Sequence, residues 1–269
     1  MPGLHLTLGM TLLWLGLLVL LPIVAVIVRS LGLGPRHFAE VAFSARALAA
    51  YRLSFGAALL AAAINAVFGF GIAWVLTRYD FPGKRLAGAL VDLPFALPTA
   101  VAGIALTAIY ANTGIIGRPL AAMGIAIAYK PAGVVLALIF IGLPFVVRTV
   151  EPVLADLPRD IEEAAATLGA SRLSIFTRVL LPEVAPALLT GFALAFARGV
   201  GEYGSVIFIA GNMPFVSEIA PLLIVTQLEQ FDYEGATAIA AVMLAISFAM
   251  LAVINLIQAR ERHWRDGGR

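Results

Sequence analysis

Apolar residues in this chain come in long runs, with most of the charges at their ends or between them. The first runs from Leu8 to Val28 and would be about 31 Å long as a helix. Others lie near residues 54–77, 88–110, 131–148, 187–210 and 236–257. Each approaches the ~20 residues needed to cross a hydrocarbon core. The pattern predicts about six spanning helices. The third run contains Pro94 and Pro98, and the fourth, which is short, contains Pro144. Two prolines four residues apart cannot both keep their helical hydrogen bonds, so the third span should be bent.

Composition agrees with this reading. Of 269 residues, 61% are apolar and 13% charged, against roughly 45–50% and about 25% in soluble domains. A soluble protein this apolar would have too little polar surface to meet water; a bilayer removes the contradiction. No Lys or Arg precedes Arg29, and the first run exceeds the core of a signal peptide. It reads as a retained span.

The net charge of +2 and isoelectric point near 9.1 do not point to nucleic acid. The basic residues form no stripe and sit at the ends of apolar runs, as membrane topology requires. Arg78, Lys84 and Arg85 follow the second run, and Arg148, Arg159, Arg172 and Arg178 follow the fourth. Arg260, Arg262, Arg265 and Arg269 close the chain, whereas residues 211–235 hold no Lys or Arg. With six spans both termini and the basic loops lie in the cytoplasm. The 29–53 segment opposes this assignment, because it carries Arg29, Arg36, Arg46 and Arg52 on the outer side. The expected organisation is an N-terminal helix and external loop over 1–50, a transmembrane core over 51–258, and a basic cytoplasmic tail over 259–269.

Residues 149–186 form the most informative segment. At about 38 residues it is long for a connection. It reads as two short helices. Asp160 would cap the first, with Glu163 completing a capping box, and Gly169 would end it. Ser171 would cap a second, from Arg172 to Leu180, stopped by Pro182. Leu173, Phe176 and Leu180 fall on one face. By itself this pattern fits a hairpin lying on the membrane surface, or a docking element for a partner. Small residues also recur in the fifth run, as Ala195 and Gly199 and as Ala197 and Gly201, a spacing that allows close helix approach.

Within the runs, Arg198 and Glu202 can pair at i, i+4. Asp92 reads as a cap or interfacial residue near the start of the third run. A charge in hydrocarbon costs at least ~2.5 kcal/mol unless paired, so these groups are candidates for a path or a gate. There is no cysteine. His5, His37 and His263 lie outside the runs without metal spacing, so no metal site is expected. Asp92 and Glu202 are the in-span carboxylates and no histidine accompanies them, which disfavours an intramembrane enzyme. Few charges are available for an ion relay, which disfavours a secondary transporter. Gly83-Lys84 is the nearest approach to a P-loop, but Arg78 stands where the first glycine belongs and Arg85 follows the lysine. The chain has no nucleotide site of its own.

Several of these residues carry a family resemblance. Glu163-Ala164-Ala165, Gly169, Val179 and Leu181-Pro182 resemble the "EAA" loop of binding-protein-dependent ABC importer permeases, with Val179 where the family prefers Ile. Arg198 to Gly204 resembles the "R-x-x-G-E-[FY]-G" segment of sulfate and molybdate permeases. Asp92 to Gly103, including Pro94, Pro98 and Thr99, resembles the "D-L-P-F-A-L-P-T-A-V-A-G" stretch of the T-type sulfate/thiosulfate subunit. The likeness runs from about residue 50 to the tail.

The resemblance implies an all-α integral membrane protein, a type-1 ABC importer permease bundle with a cytoplasmic coupling helix-turn-helix. It implies a bacterial inner-membrane location and transport of sulfate or thiosulfate, with molybdate or tungstate as the alternative. Expected partners are a second permease chain (a W-type homologue or a second copy), two ATP-binding cassette subunits carrying ATP and Mg, and a periplasmic sulfate-binding protein. Glu163, Ala164, Ala165, Gly169, Leu181 and Pro182 would couple to the ATPase. Asp92, Pro94, Pro98, Thr99, Arg148, Arg198 and Glu202 would belong to the path or its gate.

Overall fold

A computed structural model describes residues 3–266, with side chains described to Gln258. The side chains of the 259–269 tail, with His263, lie outside the described residues.

The chain is a bundle of helices. Helix α1 spans Leu4–Gly32, with a π turn at Gly16–Leu20. Helix α2 is Pro35–Ala42 and α3 is Ala45–Arg78. Lys84–Ala96 (α4) and Thr99–Tyr110 (α5) meet at a bend of 115°. Short α6 covers Gly117–Ala122, and α7 covers Pro131–Asp156. Helix α8 is Arg159–Thr167 and α9 is Arg172–Val200, containing a π turn at Phe176–Leu180. Then come α10 (Val206–Ala210), α11 (Ala220–Glu229) and α12 (Tyr233–Asp266). Five helices among the described residues are long and apolar enough to cross a membrane, and the bent α4–α5 pair makes six.

Helices α3, α7 and α9 form the centre. The face α3 turns to them is built from small residues: Ala57, Ala58, Ala61, Ala62 and Ala73 are all buried. Ala57 and Ala61, and Ala58 and Ala62, are four residues apart, and Ala73 follows Ala62 after about three turns, so the stripe follows one side of the helix. Without side-chain bulk the backbones approach closely, which is how helices associate in lipid. Val134, Val146, Val147 and Val150 of α7 fill the opposing surface. The Ala195 and Gly199 pair of α9 is buried in this centre, whereas Gly201 is exposed. Helix α1 has no buried residue in its most apolar window, as a helix facing lipid requires.

Four expectations need correction. Pro182 does not stop a helix. The Leu181 N–H bonds to Phe176 O across the π turn, and the helix runs on into the fifth span. The widened turn shifts the hydrogen-bond register before the proline, so its missing N–H breaks nothing. Asp160 is not the cap of α8; Pro158 holds that place without a side-chain bond, and Asp160 lies in the first turn. There its charge still suits the positive end of the helix dipole. In the third span Pro94 is absorbed within α4, and the corner lies at Leu97-Pro98. Leu97 is extended, as the residue before proline must be. Finally, the fifth span ends at Val200. A break and α10 follow, and the chain then folds back through 211–232, which contains α11, a short apolar helix packed on α3 and α12.

Candidate functional site

Two helix breaks meet. A Cβ on Gly103 of α5 would collide with the backbone of Ser205, and one on Gly204 would collide with the Thr99 side chain. The start of α5 therefore lies directly on the 201–205 break between α9 and α10. In this junction Glu202 is buried, at 1% exposure. Its Oε1 accepts from Ser205 N at 2.9 Å and from Ser205 Oγ at 3.0 Å. Its Oε2 meets Arg198 Nη1 at 2.5 Å. One carboxylate thus closes the break and neutralises the arginine one turn before it. Pro98 puts no side-chain acceptor on the first N–H groups of α5.

Asp92 of α4 has a partner on another helix. It takes a two-pronged bond from Arg148, with Nε to Oδ1 at 2.7 Å and Nη2 to Oδ2 at 2.5 Å. Arg148 also donates to Glu151 and to Gly88 O, the latter at 2.9 Å. The guanidinium fork matches a carboxylate in both distance and plane, so α4 and α7 are joined in a fixed orientation.

The helix–turn–helix at 159–200 stands on the same end of the bundle. Gly169 has φ +83° with open space around its Cβ position, so the hand of the turn, not crowding, selects glycine. Ser171 caps the second helix by accepting from Ser174 N at 3.2 Å. Glu163 and Ala164 are exposed, Ala165 is half-buried, and Leu181 and Pro182 sit in the helix beyond the π turn.

A model of the "binding-protein-dependent transport system inner membrane component" matches residues 65–263. The chain belongs to this family. Among its relatives, a "sulfate transport system permease protein CysT" of Synechococcus elongatus is 52% identical over 91% of this chain and 88% of that protein. The protein of that name in Escherichia coli strain K12 is 46% identical over 97% and 94% of the two chains. A "probable sulfate transport system permease protein cysT" of Nephroselmis olivacea is 50% identical over 94% and 89%. Among solved structures, a bacterial alginate ABC transporter bound to its periplasmic protein has a TM-score of 0.77. It is 18% identical, covering 96% of this chain and 94% of that one. At that identity the likeness establishes the fold, a type-1 ABC importer permease. The chain is a multi-pass membrane transport subunit.

Two further ion pairs of the permease, like Asp92–Arg148, are not suggested by the sequence. Arg78 at the end of α3 meets Glu162 of α8 at 2.8 Å, with side-chain exposures of 10% and 26%. At the opposite end, Arg46 holds Glu218 by two bonds, of 2.8 and 2.6 Å. The Glu218 side chain is 1% exposed. Arg36 pairs with Glu40, so two of the four arginines in the 29–53 segment are matched by carboxylates. The topology rule counts Lys and Arg whatever their partners, so the opposing signal of this segment stands. The one local hint was Glu218 itself, a carboxylate in a largely apolar loop that holds no Lys or Arg.

Proposed function

We propose that this permease carries sulfate or thiosulfate through the membrane while partner subunits hydrolyse ATP. The observation that carries the reading is the 46–52% identity to sulfate permeases over most of both chains. ATP and Mg would bind on two cassette subunits docked against residues 149–186, with no cofactor on this chain. A second permease chain, either a W-type homologue or a second copy, would complete the pore. A periplasmic protein would deliver the anion. ATP-driven closure of the cassettes would move the Glu163–Gly169 turn and open the cavity outward; hydrolysis would reset it.

The path residues have distinct roles in this reading. Arg148 and Arg198 are neutralised by Asp92, Glu151 and Glu202 in this conformation, so a dianion gains little from either. They act as gate ties. Thr99 and the uncapped N–H groups of α5 lie at the junction of the two breaks and favour negative charge without a full cation. A site of neutral donors also releases its anion readily.

Uptake of labelled sulfate by cells with and without the chain tests the proposal. Uptake should require the chain and be blocked by unlabelled thiosulfate. Block by molybdate alone would move the substrate to the molybdate and tungstate class. Uptake that persists with the partner's ATP hydrolysis abolished would overturn the coupled mechanism.

A further inference from the structure

Helix α3 is the one member of the central trio without a proline. Helix α7 contains Pro144 and Pro152. Helix α9 contains Pro182, Pro186 and a π turn. Helix α3 runs unbroken for 34 residues, about 51 Å at the α-helical rise. A helix with every backbone bond intact transmits displacement along its axis, whereas a proline or π turn gives it a place to bend.

Both halves of the helix–turn–helix are fastened to the coupling end of this rod. Arg78 and Glu162 form the pair described above. Arg78 Nη1 also donates to Leu157 O at 3.2 Å, and Arg159 Nη2 donates back to Arg78 O at 3.0 Å. The guanidinium lies 5.6 Å from the Trp74 ring. One turn further along the same face, Phe70 packs edge-on against Phe176 at the start of the π turn, with centroids 5.6 Å apart. Phe70, Trp74 and Arg78 are spaced at i, i+4 and i+8, one continuous ridge. At its far end the rod is tied to the segment that folds back between α10 and α12. Arg46 holds Glu218, and Ser54 Oγ accepts from Ala220 N at 2.7 Å.

We infer that Arg78 and Glu162 are positioning residues that make α3 and α8 one mechanical body, so that displacement of the coupling turn is delivered along α3 to the Arg46–Glu218 end. This inference rests on the proposed coupling to an ATPase. The alternative route, through α7 alone, has two prolines in its way.

The chain has no cysteine, which permits a direct test in the complete transporter reconstituted in vesicles with labelled sulfate outside. Arg78→Glu and Glu162→Arg are each expected to lower uptake about ten-fold, within the usual range of coupling energies. ATP hydrolysis should fall much less, so the ATP consumed per anion rises. The double variant, with the charges exchanged, should recover most of the uptake. Should a single variant fail to reach the membrane, the pair Arg78→Cys and Glu162→Cys provides the second arm. Joined by a short bis-maleimide, it should restore the uptake that the unjoined pair lacks, because the two helices need never separate. Single variants with an unchanged ATP-to-anion ratio, or uptake abolished by the crosslink, would overturn the inference. An unmodified transporter that moves no sulfate would instead overturn the function proposed above.

Discussion

Two neighbouring spans solve the membrane in opposite ways. Helix α3 crosses in one piece, whereas residues 84–110 turn through 115° at Leu97-Pro98. The difference lies in what satisfies the backbone. In α3 each carbonyl finds its own helix, and alanines let α7 and α9 come close. At the corner the helical bonds stop at an exposed Pro98, and the start of α5 beyond it packs at Gly103 against a second break at 201–205, where Glu202 accepts from the Ser205 backbone. Broken backbone in a bilayer survives where protein covers it. The transmitter proposed above is thus the unbroken helix, and the proposed gate lies where the two breaks meet.

Placing a proline in the unbroken span should destroy the contrast most completely. Ala61→Pro removes a bond and forces a kink, at about 3 kcal/mol or more. It also spoils packing at a position 2% exposed. The expected outcome is little full-length protein in the membrane fraction by immunoblot. Wild-type abundance would mean that α3 does not need continuity.

Next comes the far anchor of α3. Arg46→Ala strands a buried carboxylate, at about 3 kcal/mol. Replacing both partners by apolar residues, as Arg46→Met with Glu218→Leu, should recover most of that stability, since a buried pair gains little over good packing. Thermal unfolding in detergent reads both. Recovered stability with lost uptake would show that the pair serves motion more than folding.

The broken region offers a smaller effect. Gly103→Leu would push α5 off the Ser205 backbone, at about 1–3 kcal/mol for overpacking. The protein should reach the membrane and fail to transport. Uptake near wild type would separate the two breaks functionally.

What the chain disclosed in advance follows physical range. Span number was legible because run length is a local property that the bilayer reads directly. The Gly169 turn and the Ser171 cap were legible because their bonds close within a few residues. The course of α9 past Pro182 was not, because a π turn carries no composition signal. The Asp92–Arg148 and Arg46–Glu218 pairs join residues 56 and 172 apart. Only the packed bundle brings them together. Asp92 and Arg148 each stood out as candidates, but nothing local joined them, and nothing near Arg46 in the chain pointed to Glu218.

The variant that costs the fold least is at Gly169. Its Cβ position is open, so a side chain there adds only the strain of a left-handed residue, about 1–2 kcal/mol. Asn and Asp tolerate that conformation better than other residues and have nearly the same shape. Gly169→Asn and Gly169→Asp should therefore leave the chain in the membrane in similar amounts. They differ in charge, on a turn that already carries Glu162 and Glu163. If the turn docks on a partner, Gly169→Asp should abolish sulfate uptake and Gly169→Asn should reduce it less. Equal uptake by the two variants would confine the role of Gly169 to the geometry of its own turn.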